Sequence, residues 1–280
     1  MQRTPNATGT PDTTTSVISS ERVIPLEGSC NFRDLGGYAA ADGRRVRWRY
    51  AFRSGSLAGL TRSGQASLAE LSIAAVCDFR STSERSAEPF PLHDNSQINY
   101  WCREYETDYT ALKARLHGKA STAEDVRRAV IALYRELPWQ FSEHYRAMFS
   151  MLGAGAVPLI FHCSAGKDRT GLAAALLLSA LGVTEGDVIE DYCLSDKVVD
   201  YERTIVAPRL AEGRNTAAGY SFLEMLSANA REPLLKSDGA YLQAAFEAIN
   251  ERSGSVQTFL KSELGVGQEH LMRLRDQLLQ

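Results

Sequence analysis

The chain lacks a run long and apolar enough to cross a membrane. Its most hydrophobic stretch, "GLAAALLLSALGV" from Gly171 to Val183, stops short of the roughly 20 residues a bilayer demands and leads into Thr184 and Glu185. Stable membrane insertion is therefore not expected. The N-terminus, "MQRTPNATGTPDTTTSVISS", has no apolar core of the kind a secretory signal needs. It is rich in Thr, Ser and Pro, so residues 1–22 are expected as a disordered lead-in and the location as cytoplasmic, with leaderless export left open. Cysteine is sparse: five residues at 30, 77, 102, 163 and 193, odd in number, with no pair at metal-ligand or redox spacing. That pattern points to free thiols in a reducing compartment. The five histidines do not cluster in sequence either, so no metal site is readable and no cofactor is expected. An excess of positive charge is also missing. A net charge of -3 argues against a non-specific nucleic-acid binder, whose footprint would be basic. The local cluster of Arg44, Arg45, Arg47 and Arg49 around Trp48 reads as a solvated hairpin. No internal repeat is evident.

What is present is ordinary globular material, 280 residues with 44% hydrophobic and 23% charged composition, ample for a core without disulfides. Order is expected from about Val23, as a single domain to residue 280. Between residues 28 and 57 short β-type runs are broken by Gly36-Gly37 and Asp42-Gly43, which are turn signals. Leu60, Leu68, Leu71 and Ile73 then fall at helical spacing with Thr61 as N-cap. "AAVCDFRS" reads as a buried strand, so helix and strand alternate as in an α/β fold. Residues from about 100 to 137 mix aromatics and charges and are expected as a lid-like insertion, with a helix from Thr122 to Leu137. "QFSEHYRAMFSML" is an amphipathic helix with Phe141, Tyr145, Met148, Phe149 and Leu152 on one side. Beyond residue 184 the pattern is helical, with stops near Gly213, Gly219, Gly254 and Gly265.

The chemistry concentrates in "FHCSAGKDRTG", residues 161 to 171. "VPLIFH" before it reads as a buried strand, and "TGLAAALLLSALG" after it as a buried helix stopped by Gly182. A small-residue loop between strand and helix turns backbone N–H groups toward one point at the positive end of the helix, which suits a tetrahedral oxyanion. This is not a nucleotide-binding loop of the G-x-x-x-x-G-K-[ST] kind, because Phe161 and Asp168 stand where Gly and Ser or Thr are required. Instead the strand ends in Cys163, with Arg169 six positions on. N–H donors, Lys167 and Arg169 around a thiol favour the thiolate, the nucleophilic form. Arg169 offers a planar fork for two phosphoryl oxygens, and Ser164, Ala165, Gly166, Lys167, Asp168 and Thr170 complete the expected phosphate cradle. An attacking atom beside a preformed anion site is the equipment of phosphoryl transfer. The departing oxygen needs a proton. Asp168 and Asp78 are the two candidate acids, and the cations beside Asp168 work against its keeping a proton. Thr170 is placed to hydrogen-bond the thiolate as it leaves.

Plainer roles compete at several of these positions. His162 is either a core histidine or a hydrogen-bond partner near the thiolate. Asp78 and Arg80 are either pocket residues or an ion pair capping a strand. Asn31, Arg33 and Asp34 read as a turn held by side-chain hydrogen bonds. Cys30, Cys77, Cys102 and Cys193 read as packing residues, and Lys113, Arg115, Lys119, Arg127 and Arg128 as a solvated face.

"HCSAGKDRTG" resembles the signature of the cysteine-dependent phosphatases: His-Cys, five residues, Arg, then Ser or Thr. More narrowly it resembles the bacterial atypical tyrosine/lipid phosphatases, whose loop is H-C-x-x-G-K-D-R-[TA]-G. "NFRDLGGY", "FRSGSL", "CDFRS" and "VIEDYCLSD" are similar to that family in order and spacing, so the likeness covers most of residues 24 to 200. Residues 100 to 135 depart from the paired-helix lid of the mycobacterial members. The resemblance implies a tyrosine-phosphatase-like α/β fold, a central mixed sheet flanked by helices, and metal-independent hydrolysis of phosphomonoesters through a phosphocysteine. It implies Cys163 as nucleophile, Arg169 as phosphate clamp, Lys167 as a second anion contact, Asp168 as acid and Asp78 as the family's other aspartate near the loop. The implied substrates are phosphotyrosine, phosphoserine or phosphothreonine on proteins, and phosphoinositides, with inorganic phosphate as product. Two other readings stand beside it: a non-catalytic phosphate- or phosphoprotein-binding module, against which the intact Cys163 and Arg169 count, and sulfur or arsenic chemistry of the rhodanese kind, whose loop is a residue shorter.

Overall fold

The computed structural model describes residues 21–91, 97–108, 110–116, 120–207, 223 and 225–280. Its middle layer is a sheet of β1 (Arg33–Asp34), β2 (Ala51–Ser54), β3 (Ala75–Asp78), β4 (Asn99–Cys102) and β5 (Leu159–His162), in the spatial order β1-β2-β5-β3-β4. β1 lies antiparallel to β2 and the other neighbours are parallel, so the sheet is mixed, as expected. Every residue of β2, β3 and β5 is buried, because helices cover both faces. The registers Ser54↔His162 and Asp78↔His162 align the C-terminal ends of these three strands. The segments that follow them therefore emerge along one edge, the place where open α/β sheets bind ligands.

The helices are α1 (Arg62–Ala69), α2 (Thr82–Ala87), α3 (Thr110–Ala114), α4 (Ala123–Gln140), α5 (Ser142–Gly153), α6 (Asp168–Leu181), α7 (Glu185–Val198), α8 (Ala228–Leu235), α9 (Gly239–Ser253), α10 (Val256–Ser262) and α11 (Gln268–Leu278), with a π-helical turn at Glu202–Val206. Phe52, Val76 and Ile160 of the sheet pack with Leu60, Leu68, Leu71 and Ile73 around α1 on one face. The alternating residues Ala51, Cys77, Leu159 and Phe161 face the larger core with α4, α5, α6 and α9. The local signals hold where they were readable. Thr61 Oγ1 accepts from Gly64 N at 3.1 Å, Thr122 and Asp125 form a capping box at the start of α4, and Gly182 ends α6 in the left-handed region at φ 83°.

Three parts differ from the sequence-based expectation. The stretch expected as an insertion supplies β4 to the sheet edge, and α4 buries Val126, Val130, Tyr134 and Leu137 in the main core. Its apolar residues recur at helical spacing, but only the assembled fold shows which core they complete. The arginine cluster is not a free hairpin: Arg45 N donates to Gln280 O and Arg47 N to Leu278 O, both at 2.8 Å, tying the C-terminus down. Arg22 is buried with its guanidinium 3.4 Å over the Tyr38 ring, so the fold begins before Val23. Gly213, Gly219 and Lys119 lie outside the described residues, whereas Gly254 and Gly265 close α9 and α10 at φ 81° and 71°. Lys113 and Arg115 are exposed, and Arg127 and Arg128 pair with Asp238 and Asp125. Among the described residues no helix is long and apolar enough to cross a membrane.

Candidate active site

The loop from Cys163 to Lys167 joins the central strand β5 to α6, and its shape follows from where its carbonyls go. The His162 carbonyl accepts from Phe79 N at 2.8 Å and the Ser164 carbonyl from Ser56 N at 2.9 Å. The Gly166 carbonyl accepts from Asn31 Nδ2 at 2.8 Å and from Arg53 Nη2 at 2.9 Å. Gly166 sits at φ 68°, and a Cβ there would lie 2.5 Å from Gly55 N, so only glycine fits. With the carbonyls engaged outward, the backbone N–H groups from Ser164 to Arg169 donate to no backbone carbonyl among the described residues. N–H groups left unengaged ahead of and within the first turn of a helix are an arrangement that suits an anion.

Cys163 lies at the loop's start, 2% exposed, and opens onto a cavity of about 270 Å³ that Ala165, Asp168 and Arg169 also line. The Arg169 guanidinium is fixed from the far side. Glu84, on α2, accepts from Nη1 through Oε2 at 2.7 Å and from Nη2 through Oε1 at 2.8 Å. Nη1 also donates to the Phe79 carbonyl at 3.0 Å and to the Tyr105 hydroxyl at 2.9 Å. Glu84 simultaneously accepts from Ser164 Oγ at 2.6 Å and from Ser81 N at 2.7 Å, joining the loop, the arginine and the α2 cap. Burial works to raise the Glu84 carboxyl, but the Arg169 guanidinium and these donors hold it at about 2.

Asp168 is the first residue of α6 and lines the cavity. Its Oδ1 accepts from the Tyr134 hydroxyl at 2.7 Å, and Tyr134 in turn shares a 2.6 Å hydrogen bond with the Tyr192 hydroxyl. Lys167 points elsewhere than expected. Its Nζ donates to the carbonyls of Leu234 and Lys236 at 2.8 and 3.0 Å and pairs with Asp168 Oδ1 at 3.1 Å, binding the loop to the end of α8. Thr170 is fully buried and its hydroxyl has no hydrogen-bond partner among the described residues.

Asp78 ends β3 as an ion-paired residue outside the cavity lining. It accepts from Arg80 Nη2 and the Tyr100 hydroxyl, both at 2.7 Å. Burial pushes its carboxyl up, yet His162, Arg80 and Tyr100 together hold it far below the carboxylate range. A group so held keeps no proton near neutrality, and of the two aspartates only Asp168 reaches the cavity. His162 is a core histidine. Burial lowers its imidazole, Nδ1 meets the Cys163 carbonyl at 3.3 Å, and Nε2 has no hydrogen-bond partner among the described residues.

The upstream motifs converge beneath the loop. Arg33 Nε and Arg53 Nη1 both donate to the Asp191 carboxylate, at 3.1 and 2.5 Å, and Asn31 Nδ2 reaches Tyr201 at 2.9 Å as well as Gly166. Asp34 accepts from Gly36 N and Arg49 N at 2.8 and 2.6 Å, the turn-holding role expected of it. None of the five cysteines forms a disulfide among the described residues. Sequence reasoning missed Glu84, Tyr105, Tyr134 and Asp191 as site residues. The spacing of Ser81 and Glu84 is a readable capping box, but it signals a helix start and says nothing of Arg169.

Comparison with known proteins agrees with this geometry. A profile described as the tyrosine phosphatase family matches residues 24–280. A Cupriavidus necator protein whose name contains "tyrosine-protein phosphatase" is 35% identical over 253 residues, 89% of this chain and 86% of that one. The triple specificity protein phosphatase PtpB of Mycobacterium tuberculosis is 29% identical over 284 residues, 92% of this chain and 99% of its own. A tyrosine-protein phosphatase of Nostoc commune is 24% identical over 231 residues, 81% of this chain and 73% of its own. With the profile spanning nearly the whole described fold, the chain belongs to the tyrosine phosphatase family and is a cysteine-based phosphatase.

Proposed function

We propose that this phosphatase hydrolyses phosphomonoesters through a phosphocysteine on Cys163, with Arg169 as phosphate clamp and Asp168 as general acid. The observation that carries the reading is the run of N–H groups from Ser164 to Arg169 with no backbone acceptor among the described residues, between Cys163 and the first turn of α6. Such a run binds the non-bridging phosphoryl oxygens in ground and transition states, where the geometry is already paid for by the fold. Cys163 Sγ attacks phosphorus, and the bond from phosphorus to the leaving oxygen breaks while Asp168 gives that oxygen a proton. Water then attacks phosphorus, Asp168 takes up a proton from it, and the P–S bond breaks to release inorganic phosphate and the thiolate. Thr170 hydrogen-bonds the departing thiolate in this scheme. Lys167, engaged with α8, acts by holding the loop to the helices above it rather than by contacting phosphate.

Phosphotyrosine on proteins is the leading substrate. The M. tuberculosis relative is named for triple specificity, which supports a range extending to phosphoserine, phosphothreonine or phosphoinositides. The test is phosphate release in EDTA from about pH 5 to 8 on p-nitrophenyl phosphate, phosphopeptides and phosphoinositides. EDTA-resistant turnover that Cys163→Ser abolishes, and that Asp168→Asn slows most on substrates with poor leaving groups, is the expected result. A wild-type protein that binds phosphate and releases none from any substrate would instead be a phosphate-binding module.

A further inference from the structure

Two consecutive residues of α7 serve the loop in different ways. Asp191 takes Arg33 and Arg53, and Arg53 holds the Gly166 carbonyl. Tyr192, next in the chain, packs its ring against Gly171 of α6, where a Cβ would lie 2.9 Å from Tyr192 Cδ2. Its hydroxyl stands 2.6 Å from that of Tyr134 on α4, and the Tyr134 hydroxyl donates to Asp168 Oδ1 at 2.7 Å. Both tyrosines are fully buried, and burial pushes both phenols well above their ordinary value, so each stays a neutral donor of one proton. A phenylalanine would fill either place without the cost of burying a hydroxyl. The chain of two hydroxyls ends on Asp168.

Counting protons gives the chain its direction. Lys167 Nζ stands 3.1 Å from the same oxygen, Oδ1, and an ammonium can only donate. A proton carried on Oδ1 would face that ammonium, so Oδ1 is the accepting oxygen of the carboxyl. Tyr134 then has its one proton on Asp168, and its own oxygen accepts from Tyr192. Asp168 Oδ2 makes no hydrogen bond or ion pair among the described residues, and the side chain is 34% exposed where the residue lines the cavity.

We propose that Tyr134, backed by Tyr192, is the positioning residue of the general acid: it holds Asp168 Oδ1 as the accepting oxygen and leaves Oδ2 to carry the proton into the cavity. The inference rests on the reading of Asp168 as the acid and adds how the fold orients it. The proton passes from Oδ2 to the departing oxygen as the bond from phosphorus to that oxygen breaks. In the second step Oδ2 takes a proton from the attacking water as the P–S bond breaks. Neither tyrosine gains or loses a proton. Their part is geometric, because a carboxyl free to turn presents either oxygen to the substrate and meets the leaving group only part of the time.

The experiment measures kcat/KM, which covers the reaction through departure of the leaving group, for p-nitrophenyl phosphate and for phenyl phosphate. Nitrophenolate leaves with little need of a proton and phenolate needs one, so the ratio of the first to the second reads the acid. Damage to the loop or the clamp lowers both esters together and leaves the ratio where it was. Asp168→Asn should raise the ratio most. Tyr134→Phe, which removes only the hydroxyl, should raise it about tenfold, the effect of one hydrogen bond to a charged group, and Tyr192→Phe about threefold. In the Asp168→Asn background Tyr134→Phe should raise it no further. Thermal melts establish that each variant is folded. A ratio that Asp168→Asn raises and that neither folded tyrosine variant moves overturns the positioning role while Asp168 stands as the acid. Equal losses on both esters in Tyr134→Phe also overturn it, since the tyrosine would then only support the fold. A ratio unmoved by Asp168→Asn overturns the acid and the positioning role together, and absence of turnover on both esters overturns the phosphatase reading beneath them.

Discussion

Replacing Glu84 by glutamine keeps the side chain's shape and removes the charge that holds Arg169. In the structure its two oxygens take both Nη groups of Arg169, and it is 5% exposed, so solvent offers little compensation. Its carboxyl is moved from 4.5 to about 2. At about 1.4 kcal/mol per pH unit, the ionised form contributes about 3 kcal/mol to folding. The figure agrees with the roughly 3–5 kcal/mol cost of leaving one member of a buried ion pair alone. The folded-state value is depressed, so this contribution is complete above about 4.5 and is lost as pH falls toward about 2. Denaturant titration of wild type and Glu84→Gln should show a gap of about 3 kcal/mol at neutral pH that closes across that acidic window. Catalysis should fall as well, by about a hundredfold in kcat on p-nitrophenyl phosphate, because a clamp free to shift by an ångström no longer meets the transferring oxygens. A variant with wild-type kcat, or a gap of the same size at pH 7 and in acid, would refute the claim that Glu84 holds the clamp.

Gly166→Ala places a Cβ 2.5 Å from Gly55 N at a φ of 68°, so phosphate affinity and kcat should each fall at least about tenfold, which phosphate titration and steady-state rates would read. Asp191→Asn leaves Arg33 and Arg53 buried without their shared carboxylate, and should cost about 3–5 kcal/mol in denaturant unfolding; an unchanged midpoint would rule that pairing out as a support for the loop. His144 is buried with both ring nitrogens unpartnered among the described residues, and burial, reinforced by Arg169, Arg103 and Arg85, lowers it to about 3. A histidine depressed in the folded state is charged first in the unfolded chain, so stability is full above about 6.5 and declines as pH falls toward about 3. At pH 5 that loss is about 2 kcal/mol; His144→Phe should remove it, and an unchanged acid slope would show that another group is responsible.

The strand, the loop carrying Cys163 and the helix carrying Arg169 were legible because they form one strand–loop–helix whose shape is local. A buried apolar run, small loop residues, a helix and its Gly182 stop follow from side-chain size and backbone freedom within a couple of dozen residues. The family likeness was legible for a related reason: "NFRDLGGY", "FRSGSL" and "VIEDYCLSD" carry Asn31, Arg33, Arg53 and Asp191, which the fold uses together. Their order could be read, but their meeting under Gly166 could not. Residues 100 to 137 were misjudged because mixed aromatic and charged composition does not say which core an amphipathic helix completes.

By itself the sequence determined most of the elements, the strand–loop–helix around Cys163 and the phosphatase family, since each is carried by neighbours a few positions apart. Only the tertiary structure decided which charges meet. Arg169 finds its carboxylate 85 positions away in Glu84, Lys167 donates to the carbonyls of Leu234 and Lys236, and Asp78 becomes an ion pair while Asp168 reaches the cavity. An aspartate at a strand end and one at a helix start are the same residue in sequence. Their surroundings separate only in the folded chain, where Arg80 and Tyr100 close on Asp78 while Asp168 lines the cavity, and those are matters of distance in space rather than along the chain.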